Sequence, residues 1–163
     1  MKQLLIIRHA KSSWDISTLN DFDRPLNARG HDDAPMMAKR LLDKKISIDA
    51  FVSSTAKRAL TTAAYFAETY EAKENAIIKT PELYHASSKD FYEVIKKIND
   101  EFNSIAIFSH NPGITDFVND LTKTKIDNMP TCGVFAVKVN INSWKDFADA
   151  KKEFLFFDYP KAV

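Results

Sequence analysis

Two continuous apolar runs, Leu4 to Ile7 and Ile105 to Phe108, are separated by segments whose apolar residues recur at helical spacing. A run that is apolar at every position, rather than every second one, belongs to a strand covered on both faces, and such strands sit in parallel sheets flanked by helices. The rest of the chain follows that alternation. Ala34, Met37, Ala38, Leu41 and Leu42 form a helical stripe that ends near Lys44. Its start has two readings: Asp33 as cap with Pro35 in the first turn, or a beginning near Asn27 with a kink at Pro35. Ile48 to Ser53 is a second strand, followed by a stripe of Ala56, Ala59, Leu60, Ala63, Phe66, Ala67 and Tyr70. Ala76 to Lys79 is a weaker strand, and Phe91, Val94, Ile95 and Ile98 mark a helix capped by Ser88. After the strand Ser104 to Phe108, Asn111-Pro112 stands in the order of an N-cap and first helical residue, opening a helix through Leu121. Gly133 to Val139 and Glu153 to Asp158 are the last strands, antiparallel at one edge, with a short helix from Trp144 to Ala150 between them. The expectation is a three-layer α/β/α sandwich with a mostly parallel central sheet and an antiparallel edge, formed by residues 1–163 as one domain.

Charge excludes several functions. Lys and Arg number 23 against 22 Asp and Glu, so no strong field of either sign exists to attract nucleic acid or anionic lipid. Capture of a charged substrate has to be local. The single Cys132 allows neither an intramolecular disulfide nor a cysteine-rich metal site. The initial apolar run is too short for the core of a signal peptide or for a membrane span, and the chain reads as cytoplasmic.

In open α/β sheets, binding groups gather at the carboxyl ends of the strands, where loops and helix N-termini converge. The first strand ends in Arg8-His9, the second leads through Ser53-Ser54-Thr55 to Lys57-Arg58, and the fourth ends in Ser109-His110. Arginines that donate paired hydrogen bonds to oxyanions, with an imidazole that attacks phosphorus in its neutral form, suit a phosphoryl group. Positioned cations supply much of the catalysis of phosphoryl transfer, because charge in its transition state spreads over the equatorial oxygens. No spacing of His, Cys or carboxylates suggests a metal, and no cofactor is expected.

These residues carry a resemblance. Leu5-Ile6-Ile7-Arg8-His9-Ala10 resembles the Arg-His signature of the histidine phosphatase superfamily, and Lys11-Ser12-Ser13-Trp14 continues it as in the small phosphohistidine phosphatases of the SixA type. Arg24-Pro25-Leu26-Asn27-Ala28-Arg29-Gly30, Ser53 to Ala63 and Ser109-His110-Asn111-Pro112-Gly113 are similar to further blocks of that family in its order, with weaker echoes at Pro81 to Tyr84 and Pro130 to Gly133. The resemblance implies a phosphoglycerate mutase-like fold and a metal-independent phosphatase. It implies His9 as nucleophile, Arg8 and Arg58 as phosphate clamps, and His110 as a second phosphate ligand that stabilises the transferring group. The substrate it suggests is phosphohistidine on a protein. A small phosphomonoester is the alternative, and a silent module that binds phosphoproteins is a third reading.

Other residues have two readings each. Arg24 either borders the phosphate pocket or anchors its loop through Asp21 or Asp23. Lys11 and Lys57 either draw an anion inward or are solvated. Glu82 either protonates an alcohol leaving group or belongs to a structural turn. His31 and His85 read as a solvated helix residue and a loop residue, and Cys132 as buried packing.

Overall fold

Along the first strand, successive side chains enter different cores: Leu4 and Ile6 pack into one cluster, Leu5 and Ile7 into another, and all four are fully buried. Each such burial contributes about 1.5–3 kcal/mol, which forces the strand into the middle of a sheet with helices on both sides. The computed structural model describes residues 1–15, 20–73 and 76–162. Six strands, β1 (Lys2–Arg8), β2 (Ala50–Ser53), β3 (Ile77–Lys79), β4 (Ser104–Ser109), β5 (Val134–Val139) and β6 (Lys152–Asp158), form one sheet in the order β3-β2-β4-β1-β5-β6. The first four run parallel, and β5 pairs antiparallel with both β1 and β6. The expected antiparallel edge therefore consists of β5 alone running against the rest; β6 points the same way as β1.

Helices α1 (Ala28–Asp43) and α2 (Lys57–Thr69) cover one face, and α3 (Ser88–Lys96) and α4 (Gly113–Leu121) the other. From β1 the chain moves outward to β2 and β3 with α1 and α2 on one face, then returns to β4 with α3 on the opposite face. Right-handed crossovers require that change of face when the direction of travel reverses. The reversal leaves β1 and β4 as neighbours whose following helices diverge to opposite faces, which opens a crevice at their carboxyl ends. At the other end of the sheet Lys2 is 2% exposed, and its ammonium donates to Asp100 O, Phe102 O and the Asn103 side chain. No helix among the described residues is long and apolar enough to cross a membrane.

Several boundaries differ from the sequence reading. Helix α1 starts after Asn27, whose side chain accepts from Gly30 N at 2.8 Å, and runs on through Pro35. The cap of α3 is Ser87, not Ser88: Ser87 and Asp90 bond each other's backbone N–H in a capping box. Asn111 does not cap α4, because its amide donates to Asn128 and Met129 while its oxygen accepts from Thr115. The helix expected from Trp144 to Ala150 is only a 3-10 turn over Trp144–Asp146.

Gly113, the first residue of α4, is fixed by a close approach: a Cβ there would lie 1.8 Å from Ala86 O. This contact seats the 83–87 loop beside the crevice. Gly113→Ala is expected to destabilise the protein by about 1–3 kcal/mol, the usual cost of forcing extra atoms into a packed site. Urea denaturation measures it, and an unchanged midpoint would show that the loop yields freely.

Candidate active site

Strands β1 and β4 pair in parallel with Arg8 beside Ser109, so the next residue of each, His9 and His110, emerges at the same level. Their ring centroids are 5.1 Å apart. β2 lies against the other side of β4, with Ser53 beside Phe108, and delivers Ser54 and the start of α2 to the same rim. Arg58 is the second residue of α2 and its side chain turns inward, leaving it 5% exposed. The loop after His9 is clamped by the approach to α1: Ser13 N donates to Pro25 O at 2.8 Å and Asn27 N to Lys11 O at 3.0 Å. Gly30 completes the clamp, since a Cβ on it would meet Lys11 O at 2.1 Å. The block from Arg24 to Gly30 thus holds the His9 loop in place.

His9 Nδ1 lies 2.7 Å from Ala10 O. A carbonyl only accepts, so Nδ1 carries the proton and Nε2 presents its lone pair. Arg58 Nε donates to that lone pair at 3.3 Å. Burial, followed among the lowering influences by the charges of His110, Arg58 and Arg8, holds His9 well below the usual histidine range against the opposing bond to Ala10. His110 is pushed down to about 3 by burial and then by Arg58. Its Nε2 lies 2.7 Å from Ser54 Oγ. Arg8 donates from Nη1 to Met129 O at 2.9 Å, and burial followed by Arg58 lowers its pKa. Arg8 Nε and His110 Nδ1 are both buried and have no hydrogen-bond partner among the described residues. Neutral imidazoles beside guanidinium donors make a cradle for an oxyanion, with the unprotonated His9 Nε2, which accepts from Arg58 Nε, at its floor.

Arg58 has a second partner that the sequence reading did not assign to it. Its Nη1 donates to Asp21 O at 2.6 Å and its Nη2 to Asp21 Oδ2 at 3.0 Å. Tyr84 donates its hydroxyl to the same Oδ2 at 2.6 Å, and Arg24 Nε reaches Oδ1 at 3.2 Å. Burial raises the Asp21 pKa, but the bonds from Tyr84 and Arg58 outweigh it and hold the carboxyl at about 2. Arg24 is therefore the loop anchor of the second reading, held by Asp21, by Ser12 Oγ at 3.0 Å, and by Trp14, whose ring lies 3.5 Å from the guanidinium carbon.

Among the remaining candidates, His85 borders a hollow that it shares with His110. Lys11, Lys57 and Glu82 are exposed. Glu82 lines a hollow on the β3–α3 flank with Ile78, Thr80, Asp90 and Lys97, and none of Arg8, His9, Arg58 or His110 borders that hollow. His31 is exposed on α1, 2.7 Å from the Tyr65 hydroxyl, and His85 sits in a turn at φ 58°. Cys132 is fully buried, and its backbone N–H bonds Arg8 O and His9 O at 3.1 Å. Among the described residues, no group of three His, Cys, Asp or Glu is placed to hold a metal ion.

The depressed histidines set a pH dependence. In the unfolded chain both titrate near 6.5, whereas in the folded protein they stay neutral to lower pH, His110 to about 3. Below pH 6.5 the unfolded state binds more protons, so stability is full above 6.5 and falls as the pH drops from there toward 3. Urea denaturation at pH 7 and pH 5 should show the loss, and His110→Ala should shrink it. Equal slopes in both proteins would mean that His110 is not held neutral.

Comparison with known proteins places this geometry. The sequence profile of the histidine phosphatase superfamily (branch 1) matches residues 4–85, half of the chain. An uncharacterized protein of Mycobacterium leprae is 29% identical over 167 residues, covering 95% of this chain and 100% of that protein. The structure of the protein histidine phosphatase SixA complexed with tungstate superposes with a TM-score of 0.81 at 21% identity, over 97% of each chain. A mycobacterial glucosyl-3-phosphoglycerate phosphatase does so at 0.75 and 13% identity, over 98% of this chain and 100% of that one. The chain therefore belongs to the histidine phosphatase superfamily (branch 1), as a phosphatase with the phosphoglycerate mutase-like fold that SixA shares.

Proposed function

We propose that the protein removes the phosphoryl group from phosphohistidine on another protein, through a phospho-His9 intermediate. The observation that supports the substrate class is that neither Glu82 nor Asp21 is placed and protonated as an acid at the cradle. An alkoxide leaving group needs a proton donor, whereas imidazole is a much better leaving group. Glu82 lines a different hollow, and Asp21 is held as a carboxylate at about 2. Between Thr80 and Ser104 the chain has only a 3-10 turn and the nine-residue α3, so no large insertion roofs the rim there.

In this reading His9 Nε2 attacks phosphorus with its lone pair while Ala10 O keeps the proton on Nδ1. The bond from phosphorus to the substrate's imidazole nitrogen breaks, and that nitrogen leaves with the electron pair. Arg8, Arg58 and His110 hold the equatorial oxygens throughout. Water then attacks phospho-His9, the electron pair of the P–N bond returns to Nε2, and both protons of the water leave on the released phosphate, one of them passed to a phosphoryl oxygen. The partner is a phosphorylated protein, and the one buried cysteine fits a reducing compartment, the cytoplasm.

Purified protein assayed against a phosphohistidine peptide, sugar phosphates and an aryl phosphate tests the substrate class. Preference for the peptide over sugar phosphates is expected; the reverse would favour the small-molecule phosphomonoesterase. Rapid quenching with a radiolabelled phosphodonor should trap label that survives alkali, is lost in acid and is absent from His9→Ala. Acid-stable label would overturn the intermediate. Arg58→Ala should lower kcat about 10²-fold or more, the effect of removing one fixed donor to a developing charge. Because the guanidinium groups supply the positive charge that a cation otherwise brings, full activity is expected after exhaustive chelation. Loss of activity that Mg2+ or Zn2+ restores would show a metal requirement.

A further inference from the structure

Ser54 follows β2 and is fully buried. Its Oγ has two partners: Ala56 N donates to it at 3.3 Å, and His110 Nε2 lies 2.7 Å away. The backbone N–H can only give a proton, so it occupies one lone pair of Oγ. The hydroxyl proton is then left with His110 Nε2 as its one acceptor. If His110 carried its proton on Nε2 instead, the hydroxyl proton and the Nδ1 lone pair would both be unpaired in a site where His110 is 7% exposed. Two orphaned polar groups at such depth cost more than one. With the proton on Nδ1, the orphan is a single donor.

That donor has company. Among the described residues, the buried side-chain atoms left without partners are His110 Nδ1 and Arg8 Nε, and both belong to residues at the cradle. A guanidinium nitrogen always donates. Two buried donors waiting unpaired beside a nucleophile are what an incoming oxyanion would satisfy, and nothing else in the packing uses them. We propose that Ser54 is a positioning residue: its hydroxyl donates to His110 Nε2, fixes His110 in the Nδ1–H form, and so provides a neutral N–H donor to the transferring phosphoryl group. The catalytic part of this inference rests on the phosphatase reading above; the assignment of the tautomer does not.

Nitrogen-15 NMR of the free wild-type protein at neutral pH reads the tautomer directly, because protonated and unprotonated ring nitrogens have well-separated shifts. The expected spectrum shows His110 Nδ1 as the protonated nitrogen. In Ser54→Ala the signals should move toward the Nε2–H form, and kcat for an aryl phosphate should fall at least tenfold with KM little changed. Ser54→Thr, which keeps the hydroxyl, should restore both the spectrum and most of the rate. A wild-type His110 protonated on Nε2 would overturn the proposal without any variant. So would a folded Ser54→Ala protein that kept both the Nδ1–H signal and the wild-type rate. If the wild type turned over no phosphomonoester at all, the phosphatase reading would fall and the catalytic role of Ser54 with it, while the spectrum would still decide the tautomer.

Discussion

The parallel pairing of β1 with β4 is what the active site depends on. Arg8 stands beside Ser109 in that ladder, so the two histidines that follow leave the sheet side by side, with ring centroids 5.1 Å apart. Moving either strand by one residue would turn its whole apolar set to the opposite core and its histidine away from the other. The register is held by burial on both faces of both strands, whose residues from Leu4 to Ile7 and Ile105 to Phe108 are fully buried. Hydrophobic packing in the middle of the molecule thus sets the position of the polar groups at its rim.

Placing those groups in so buried a rim has an electrostatic consequence. Burial favours neutral imidazoles, and the nearby guanidinium groups reinforce it. A neutral His9 with its proton held by Ala10 O needs no separate base, which suits it to attack on phosphorus. Arg58 is buried too, and an isolated buried cation is costly. Arg58 answers this with Asp21, which in turn is shared with Tyr84 and Arg24. A single carboxylate, 43% exposed on its side chain, joins the loop after β1, the start of α2 and the loop after β3.

Hydrogen-bond partners explain why some local signals misled. Asn111-Pro112 has the order of a helix start, but Asn111 spends its side chain on Asn128, Met129 and Thr115. Glu82 follows the third strand as a proton donor would, yet the 3-10 turn Pro81–Leu83 sends it to the β3–α3 flank. Tyr84, two residues later, is the one that reaches the site. Choosing between two nearby polar residues in a turn requires the turn's geometry, and periodicity says nothing about it.

By itself the sequence determined the alternation of strands and helices, since continuous apolar runs and helical stripes dictate which faces must be buried. It also determined which strand ends carry Arg8, His9, Arg58 and His110, because those residues adjoin runs whose type is unmistakable. Only the tertiary structure decided that β4 inserts between β1 and β2, that Asp21 rather than Asp23 anchors Arg24 and Arg58, and that Ser54 meets His110. Apart from the Asp21–Arg24 pair, three residues apart, these contacts join residues 37 or more apart, set by chain crossing and by shared hydrogen bonds, and no local pattern in the sequence encodes the pairing.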